Sequence, residues 1–248
     1  MRLGDRVRSV VALLGIPAGS IGSVKEIGSL FIVVEFEDGR IGYYALRQLR
    51  RLNYAGPTPE PPPRIELGFS SETVPAGSHL CLLPVTCREM APTAFDFLAA
   101  GLTSGEKCLC VSSPRWAAGL RRRFSGNGFS SHLESGDLVF VDPSEVYLPA
   151  NEFTADRQLQ RLARAIADLG ARRMRIFARA GTWFKAVPED EWWDYEMRAT
   201  RVLGESGTTA ICAYHPEGQE RGCRQRAEVT HPYLVTGRRL SPGWASPV

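Results

Sequence analysis

Apolar and polar residues alternate with a period of two through much of the first fifty residues of the chain. The segments that show this pattern are residues 6–11, 21–27, 30–36 and 41–44. Such alternation is typical of half-buried β-strands, because successive side chains point to opposite faces of a sheet. The pair Asp38-Gly39 is a strong signal for a tight hairpin turn. These patterns predict a small all-β barrel of about five short strands.

Beyond residue 66, short apolar runs alternate with segments of helical periodicity. One strand is predicted to begin at residue 80 and a second to end at residue 112. Three more strands are predicted at residues 138–141, 174–178 and 208–214. Helices are predicted at residues 92–100 and 155–169 and from residues 114 and 188. Pro92 is expected to begin the first helix and Gly101 to end it, while Ser113 is expected to cap the second. This alternation favours a mostly parallel α/β sheet with right-handed crossovers and helices on both faces.

The two regions are separated by a proline-rich segment. Residues 54–64 contain Gly56 and five prolines, and proline is excluded from helix interiors and central strands because it lacks an N–H donor. We therefore predict a stiff linker at residues 55–66, between a first domain at residues 1–54 and a second at residues 67–248. The motif Gly4-Asp5-Arg6-Val7-Arg8 in the first domain resembles small SH3-like barrels.

The segment from Leu80 to Ser112 has the layout of a nucleotide-binding βαβ unit without the residues that bind phosphate. A P-loop needs glycines, a lysine and a hydroxyl residue at fixed spacing, so that backbone N–H groups and the lysine surround the phosphates. Here the loop after the first strand reads Pro-Val-Thr-Cys-Arg-Glu. The sequence favours sensing or binding over catalysis, and no catalytic residue is predicted.

Composition is that of an ordinary globular protein, with 248 residues of which 44% are hydrophobic and 23% charged. The N-terminus has no signal-peptide pattern and no apolar run approaches the ~20 residues of a membrane span, so we expect a cytoplasmic protein without membrane contact. The net charge of +3 comes entirely from residues 1–55, which hold 8 basic and 5 acidic side chains. A basic barrel that contacts nucleic acid is therefore an alternative, although a less favoured one.

Cysteine spacing gives no sign of a metal site. None of the six cysteines forms a C-x-x-C motif, and buried packing is the usual role of a free cysteine. A site built from His79, Cys81 and Cys87 would match no established zinc spacing. We expect neither a metal nor another cofactor.

Several spaced motifs between residues 77 and 240 carry a family resemblance. They are Gly77-x-His79-x-Cys81, Phe97-Leu98-x-x-Gly101-Leu102-x-x-Gly105-Glu106, Tyr147 with Phe153, Arg175 before Trp183, Tyr195-Glu196, Cys212-x-Tyr214 and His231-Pro232. In this order they resemble the MEDS family of sensory domains, named for methanogens and methylotrophs. The resemblance implies a RecA-like fold that has lost its P-loop and senses small organic compounds. Arg179 is an alternative to Arg175 in the motif before Trp183.

The crevice beyond the carboxyl ends of parallel strands is the usual ligand site of such sheets. The residues predicted to bind a ligand there are Arg88, Ser112, Asp142, Tyr147, Arg179, Trp183 and Tyr214. His79 begins its strand, at the opposite end, and His231 precedes a proline, so both are expected to be structural. Adjacent helical residues point about 100° apart, so at most one of Trp192 and Trp193 is expected to lie fully inward.

These observations predict a non-enzymatic sensory or regulatory protein whose α/β domain binds a small organic molecule or a protein signalling partner. Two alternatives remain open, namely a nucleic-acid-associated regulator that uses the basic barrel and an enzyme that uses nucleotide without a P-loop. The N-terminal barrel stands where a helix-turn-helix would make a repressor, so direct transcriptional control is not implied by the resemblance. A homodimer is left open.

Overall fold

A computed structural model describes residues 6–9, 16, 18–27, 32–44, 48–51, 62–84, 86–147, 153–168, 173–180, 187–214 and 223–243. The chain divides into two compact units, Met1–Pro61 together with Trp244–Val248, and Pro62–Gly243. Most of the predicted linker lies outside the described residues, and its last three residues form a short strand. The assignment of residues 1–54, 55–66 and 67–248 to two domains and a linker stays a prediction.

The smaller unit contains an antiparallel sheet of short strands. Its strands are β1 (Arg6–Ser9), β2 (Ile21–Ile27), β3 (Ile32–Phe36), β4 (Ile41–Tyr44) and β5 (Leu49–Arg51), in the spatial order β4-β3-β2-β1-β5. Alternate residues such as Val24, Val34 and Phe36 form its core. The period-two pattern therefore predicted this all-β region correctly, although Val10 and Val11 of the first predicted strand lie outside the described residues.

The larger unit begins with an antiparallel hairpin and continues as a seven-stranded sheet. Its strands are β6 (Arg64–Glu66), β7 (Thr73–Pro75), β8 (His79–Leu82), β9 (Lys107–Val111), β10 (Leu138–Val141), β11 (Met174–Ala180), β12 (Thr209–Tyr214), β13 (Tyr233–Thr236) and β14 (Arg239–Pro242). The large sheet has the order β10-β9-β11-β12-β8-β13-β14. Every neighbouring pair is parallel except β13 with β14.

Helices cover both faces of the large sheet. They are α1 (Cys87–Thr103), α2 (Pro114–Gly126), α3 (Ser130–Glu134), α4 (Pro143–Tyr147), α5 (Ala155–Ala167), α6 (Glu189–Ser206) and α7 (Cys223–Thr230). Side chains of α1 and α2 pack on one face, with Phe97 and Leu120 in that core. Side chains of α5, α6 and α7 pack on the other, with Leu159 and Trp192 in that core. The predicted fold class, a mostly parallel α/β sheet between helices plus a small all-β region, is confirmed.

The first helix differs from its prediction at both ends. It begins at Cys87, before Pro92, and continues to Thr103, through Gly101. Gly101 does not end the helix; it makes room for a neighbour, because a Cβ there would lie 2.6 Å from Cδ of Arg175. The glycine thus serves packing within the helix, which a pattern based on chain order does not distinguish from termination.

The prediction for the paired tryptophans was wrong. Trp192 is 1% exposed and Trp193 is 7% exposed. Both are buried because α6 packs against α5, α7 and the sheet. Neighbours on several sides of the helix cover side chains that point in different directions. Among the described helices, none is both long enough and apolar enough to span a bilayer.

Candidate functional site

Helix α6 carries an acidic residue into the core. Its first turn contains Glu189, Asp190 and Glu191, whose negative charges interact favourably with the positive end of the helix dipole. Further along, Trp192, Glu196, Ala199 and Leu203 recur at helical spacing and are all buried. Glu196 is fully buried, which is rare for glutamate unless it has charged or polar partners.

The partners of Glu196 come from three other elements. His79 is the first residue of β8, Cys212 lies in β12, and His231 follows the last residue of α7. All four side chains are buried, and one potential ligand atom from each lies within 4.8 Å of the others. We call His79, Glu196, Cys212 and His231 the buried cluster.

Distances within the buried cluster are short. Oε2 of Glu196 lies 3.2 Å from Nε2 of His79 and 3.4 Å from Nε2 of His231. Nε2 of His79 also lies 3.3 Å from Sγ of Cys212. The two imidazole rings have centroids 4.1 Å apart. Both Nε2 atoms, the carboxylate and the thiol therefore face a common point.

The outer nitrogen of His79 is held by a hydroxyl group. Nδ1 of His79 lies 2.9 Å from Oγ1 of Thr200, and that hydroxyl donates its hydrogen to the backbone carbonyl of Thr230 at 3.0 Å. A hydroxyl has one hydrogen to give, so the ring nitrogen is the donor in the first bond. In neutral His79 the lone pair of Nε2 therefore points into the buried cluster.

His231 is oriented in the same sense. Its Nδ1 lies 3.2 Å from the carbonyl oxygen of Ala227, which can only accept. The adjacent Thr230 hydroxyl, 2.8 Å from the same nitrogen, donates to the carbonyl of Arg226. Nδ1 of His231 therefore carries the hydrogen, and Nε2 presents its lone pair to Glu196.

A chain of hydrogen bonds fixes the other oxygen of Glu196. The Tyr214 hydroxyl donates to Oε1 at 2.9 Å and accepts a bond from Nε1 of Trp192 at 3.0 Å. Burial, and next the nearby charge of Glu196, raise the pKa of Tyr214 well above its usual value. The phenol therefore stays protonated, and Oε2 is left facing the two histidines.

Protonation in the buried cluster follows from its burial. Burial, reinforced by the proximity of His231, lowers the pKa of His79 to about 4. Burial alone would raise the pKa of Glu196, but a hydrogen on Nε2 of His231 or His79 would donate to the carboxylate and hold its pKa well below its ordinary value. Because Nδ1 of each ring already carries a hydrogen, that ring would then be an imidazolium. Among the described residues, these four are the ones that could together hold a metal ion.

The residues predicted from sequence to bind a ligand are spread over both faces of the sheet. Tyr147 and Tyr214 are buried on the α6 face, where the Tyr147 ring centroid lies 5.6 Å from that of Trp192. Arg179 is half-buried on the opposite face, with its guanidinium 5.7 Å from the ring centroid of Trp116. The structure does not bring Arg179 together with the two tyrosines.

Three further predicted residues lie near strand ends. Ser112 is buried after β9, and Asp142 follows β10, where its Oδ1 accepts bonds from the backbone and hydroxyl of Ser144 at 2.9 and 2.6 Å. Arg88 is exposed in the first turn of α1. Trp183 lies outside the described residues. A ligand-binding role for these seven residues stays a prediction.

Sequence reasoning assigned structural roles to the two histidines and overlooked Glu196 as a site residue. The available signal was the position of Glu196, an acid four residues after Trp192 on an apolar helical stripe. Because the four residues of the buried cluster come from separate elements, they form no short sequence motif that would reveal the site. The pairing of His79 with His231 depends on β8 and β13 being neighbours in the sheet.

Comparisons with known proteins agree with this fold. None of the curated proteins matches the chain. A solved structure of a KaiC-like protein from the hyperthermophilic archaeon Pyrococcus horikoshii OT3 is similar, with 20% sequence identity and a TM-score of 0.50 over 71% of this chain and 81% of that one. That similarity identifies the fold as RecA-like. The family model described as the methanogen/methylotroph, DcmR sensory domain (MEDS) matches residues 78–232. The chain therefore belongs to the MEDS family of sensory domains.

Proposed function

We propose that this protein is a non-enzymatic cytoplasmic sensory or regulatory protein whose α/β domain binds a small organic ligand or a signalling partner. Family membership supports the sensory role. The ligand site predicted from sequence is the carboxyl edge of the sheet near Tyr147, Arg179 and Trp183; since Tyr147 and Arg179 lie on opposite faces of the sheet, the proposal is centred on Arg179. Arg179 suits an anionic or planar ligand, because a guanidinium offers forked hydrogen bonds and a flat stacking surface.

The start of α1 carries the argument against nucleotide hydrolysis. In P-loop proteins the helix after the first strand binds phosphate at its N-terminus, through free backbone N–H groups and a favourable dipole. Here the first turn of α1 contains Glu89, and Oε1 of Glu89 lies 3.3 Å from the Thr86 hydroxyl. The loop lacks the glycines and the lysine of a P-loop, and the carboxylate of Glu89 lies in the same first turn as the exposed cation of Arg88 and offsets its charge.

Two measurements on the full chain test the proposal. Phosphate release from ATP and GTP should stay at background, whereas turnover that follows the purified protein through chromatography would identify an enzyme. A thermal-shift screen of small alcohols, amines, carboxylates and halogenated alkanes should find a compound that stabilises the protein in a saturable way. Binding to DNA or RNA that weakens steeply with added salt would instead favour a regulator that contacts nucleic acid.

A further inference from the structure

We propose that the buried cluster is a metal site in which Nε2 of His79, Nε2 of His231, Sγ of Cys212 and a carboxylate oxygen of Glu196 bind one divalent transition-metal ion of the Zn²⁺ class. This inference does not depend on the proposed sensory role. It departs from the sequence-based expectation of no metal, because the four ligands come from β8, α6, β12 and the end of α7.

The spacing of the ligand atoms fits tetrahedral coordination. Zinc bonds of about 2.0–2.3 Å place neighbouring ligand atoms about 3.3–3.7 Å apart in a tetrahedron. Three of the six separations in the buried cluster are 3.2 Å from His79 to Glu196, 3.4 Å from His231 to Glu196 and 3.3 Å from His79 to Cys212, and all six are within 4.8 Å. Small side-chain adjustments therefore suffice to admit the ion.

The outer hydrogen bonds orient both histidines as ligands. Metal-binding histidines usually donate their second ring N–H to a carbonyl or another fixed acceptor, which directs the remaining lone pair at the metal. Nδ1 of His79 donates to the Thr200 hydroxyl, and Nδ1 of His231 donates to the Ala227 carbonyl. The two Nε2 lone pairs and the carboxylate consequently converge without a hydrogen between them.

Two buried atoms point into this centre without a hydrogen-bond partner among the described residues. They are Oε2 of Glu196 and Nε2 of His231, in side chains with 0% exposure. Leaving such groups buried and unsatisfied is costly. A cation that accepts their lone pairs would remove that cost.

The donor set suits zinc in charge and chemistry. Two neutral imidazoles, one thiolate and one carboxylate around a divalent ion give a site with no net charge, which lowers the cost of its burial. Mixed nitrogen, sulfur and oxygen ligands are those of zinc sites, whereas calcium and magnesium require oxygen. With four protein ligands and no exposed face, the site would be structural and would tie α6 and α7 to the centre of the sheet.

The first test is the metal content and coordination of the intact protein. Full-length protein purified from zinc-supplemented cells should carry about one zinc ion per chain by mass spectrometry of the elements. X-ray absorption at the zinc edge should show one sulfur and three nitrogen or oxygen ligands. Less than a tenth of an ion per chain, or a coordination shell without sulfur, would overturn the assignment.

Cobalt substitution tests the ligands individually. Protein unfolded with a chelator and refolded with Co²⁺ should show visible bands of tetrahedral cobalt and a near-ultraviolet thiolate band. Cys212→Ser should lose the thiolate band, while Cys110→Ser, which alters a buried thiol in the other core, should retain it. Persistence of the band in Cys212→Ser, or its loss in both variants, contradicts the proposed ligand.

Thr200 is not a ligand, but it positions His79. A Thr200 variant therefore tests the site while all four ligands remain in place. Thr200→Val removes the acceptor of His79 Nδ1, and loss of such an outer partner weakens metal binding about 10–100-fold. Competition with a chromophoric chelator measures this change. If folded wild-type protein binds no Co²⁺ and melts at the same temperature with and without Zn²⁺, a shared proton occupies the centre and the proposal is wrong.

Discussion

Arg175 donates from Nε to Oε2 of Glu106 at 2.6 Å inside the larger unit, where Arg175 is 1% exposed and Glu106 is 4% exposed. The guanidinium also donates to the backbone carbonyls of Glu66 and Phe97 at 2.7 and 3.0 Å, and it lies 5.1 Å from the Phe97 ring centroid. Arg175 therefore joins β11 to the hairpin, to α1 and to the start of β9.

Glu106→Ala should strongly destabilise the protein. Removal of one partner leaves the Arg175 charge buried without its counter-ion, which typically costs about 3–5 kcal/mol. Urea denaturation should show this loss as a lower midpoint. Arg173→Ala is a matched control, because Arg173 contacts the same carboxylate at 3.6 Å but is 42% exposed, and exposed pairs contribute about 0–1 kcal/mol. Similar losses in both variants would contradict a special role for the buried pair.

Two helical glycines should respond oppositely to alanine. In Gly101→Ala the new Cβ would lie 2.6 Å from Cδ and 2.8 Å from Nε of Arg175, whose position is fixed by its hydrogen bonds. Overpacking of this kind costs about 1–3 kcal/mol. In Gly119→Ala the new Cβ meets nothing within 4 Å, so better helix propensity should stabilise the protein by about 0.5–1 kcal/mol.

Thermal and urea unfolding of both glycine variants measure these effects. Stabilisation by Gly101→Ala would show that Arg175 moves aside easily. Destabilisation by Gly119→Ala would show that α2 has a neighbour at this position outside the described contacts.

Where buried positions recur at regular spacing along a single strand or helix, the sequence pattern predicted that element well. β2, β4 and β10 have the bounds that alternation or a short apolar run indicated, and Ser113 and Pro114 begin α2 as expected. The start of α1 was missed because Pro92 is a typical first helical residue, yet here it lies in the second turn. Helix bounds that depend on what packs nearby are not encoded in spacing alone.

The buried cluster could not be assembled from sequence for a related reason. Its members are far apart in the chain and meet only because β8 lies between β12 and β13 in the sheet. The motifs did include His79, Glu196, Cys212 and His231 individually. What they lacked was the topology that places the four side chains around one point.

Cys108 and Cys110 should resist alkylation in the native protein. Burial raises the pKa of each thiol to about 12, from a usual value of 9.0. Since the thiolate is the reacting species, its fraction at pH 8 falls about a thousand-fold, and burial blocks access as well. Iodoacetamide labelling followed by peptide mass spectrometry should modify both only after denaturation. Labelling of either thiol at the denatured rate under native conditions would disprove its inertness.

Arg179→Ala tests the ligand site predicted at the carboxyl edge of the sheet. Loss of the contact with Trp116 costs about 0.5–1 kcal/mol at a partly exposed site, which by itself lowers the unliganded melting temperature by about 1–4 °C. The unliganded midpoint of the variant is therefore the baseline from which its ligand-induced shift is measured. A ligand at about 100 times its dissociation constant stabilises the native state by about 2.7 kcal/mol, which corresponds to a shift of about 5–11 °C.

If Arg179 binds the ligand, the Arg179→Ala variant should lose most of that ligand-induced shift at the same concentration. Arg88→Ala is the comparison variant, because Arg88 is also predicted to bind the ligand but is exposed at the start of α1. If only Arg179→Ala loses the ligand-induced shift, the ligand binds near β11. If both variants lose it, the site also includes the start of α1. A full ligand-induced shift in both variants, together with an unchanged dissociation constant by calorimetry, would show that neither Arg179 nor Arg88 binds the ligand.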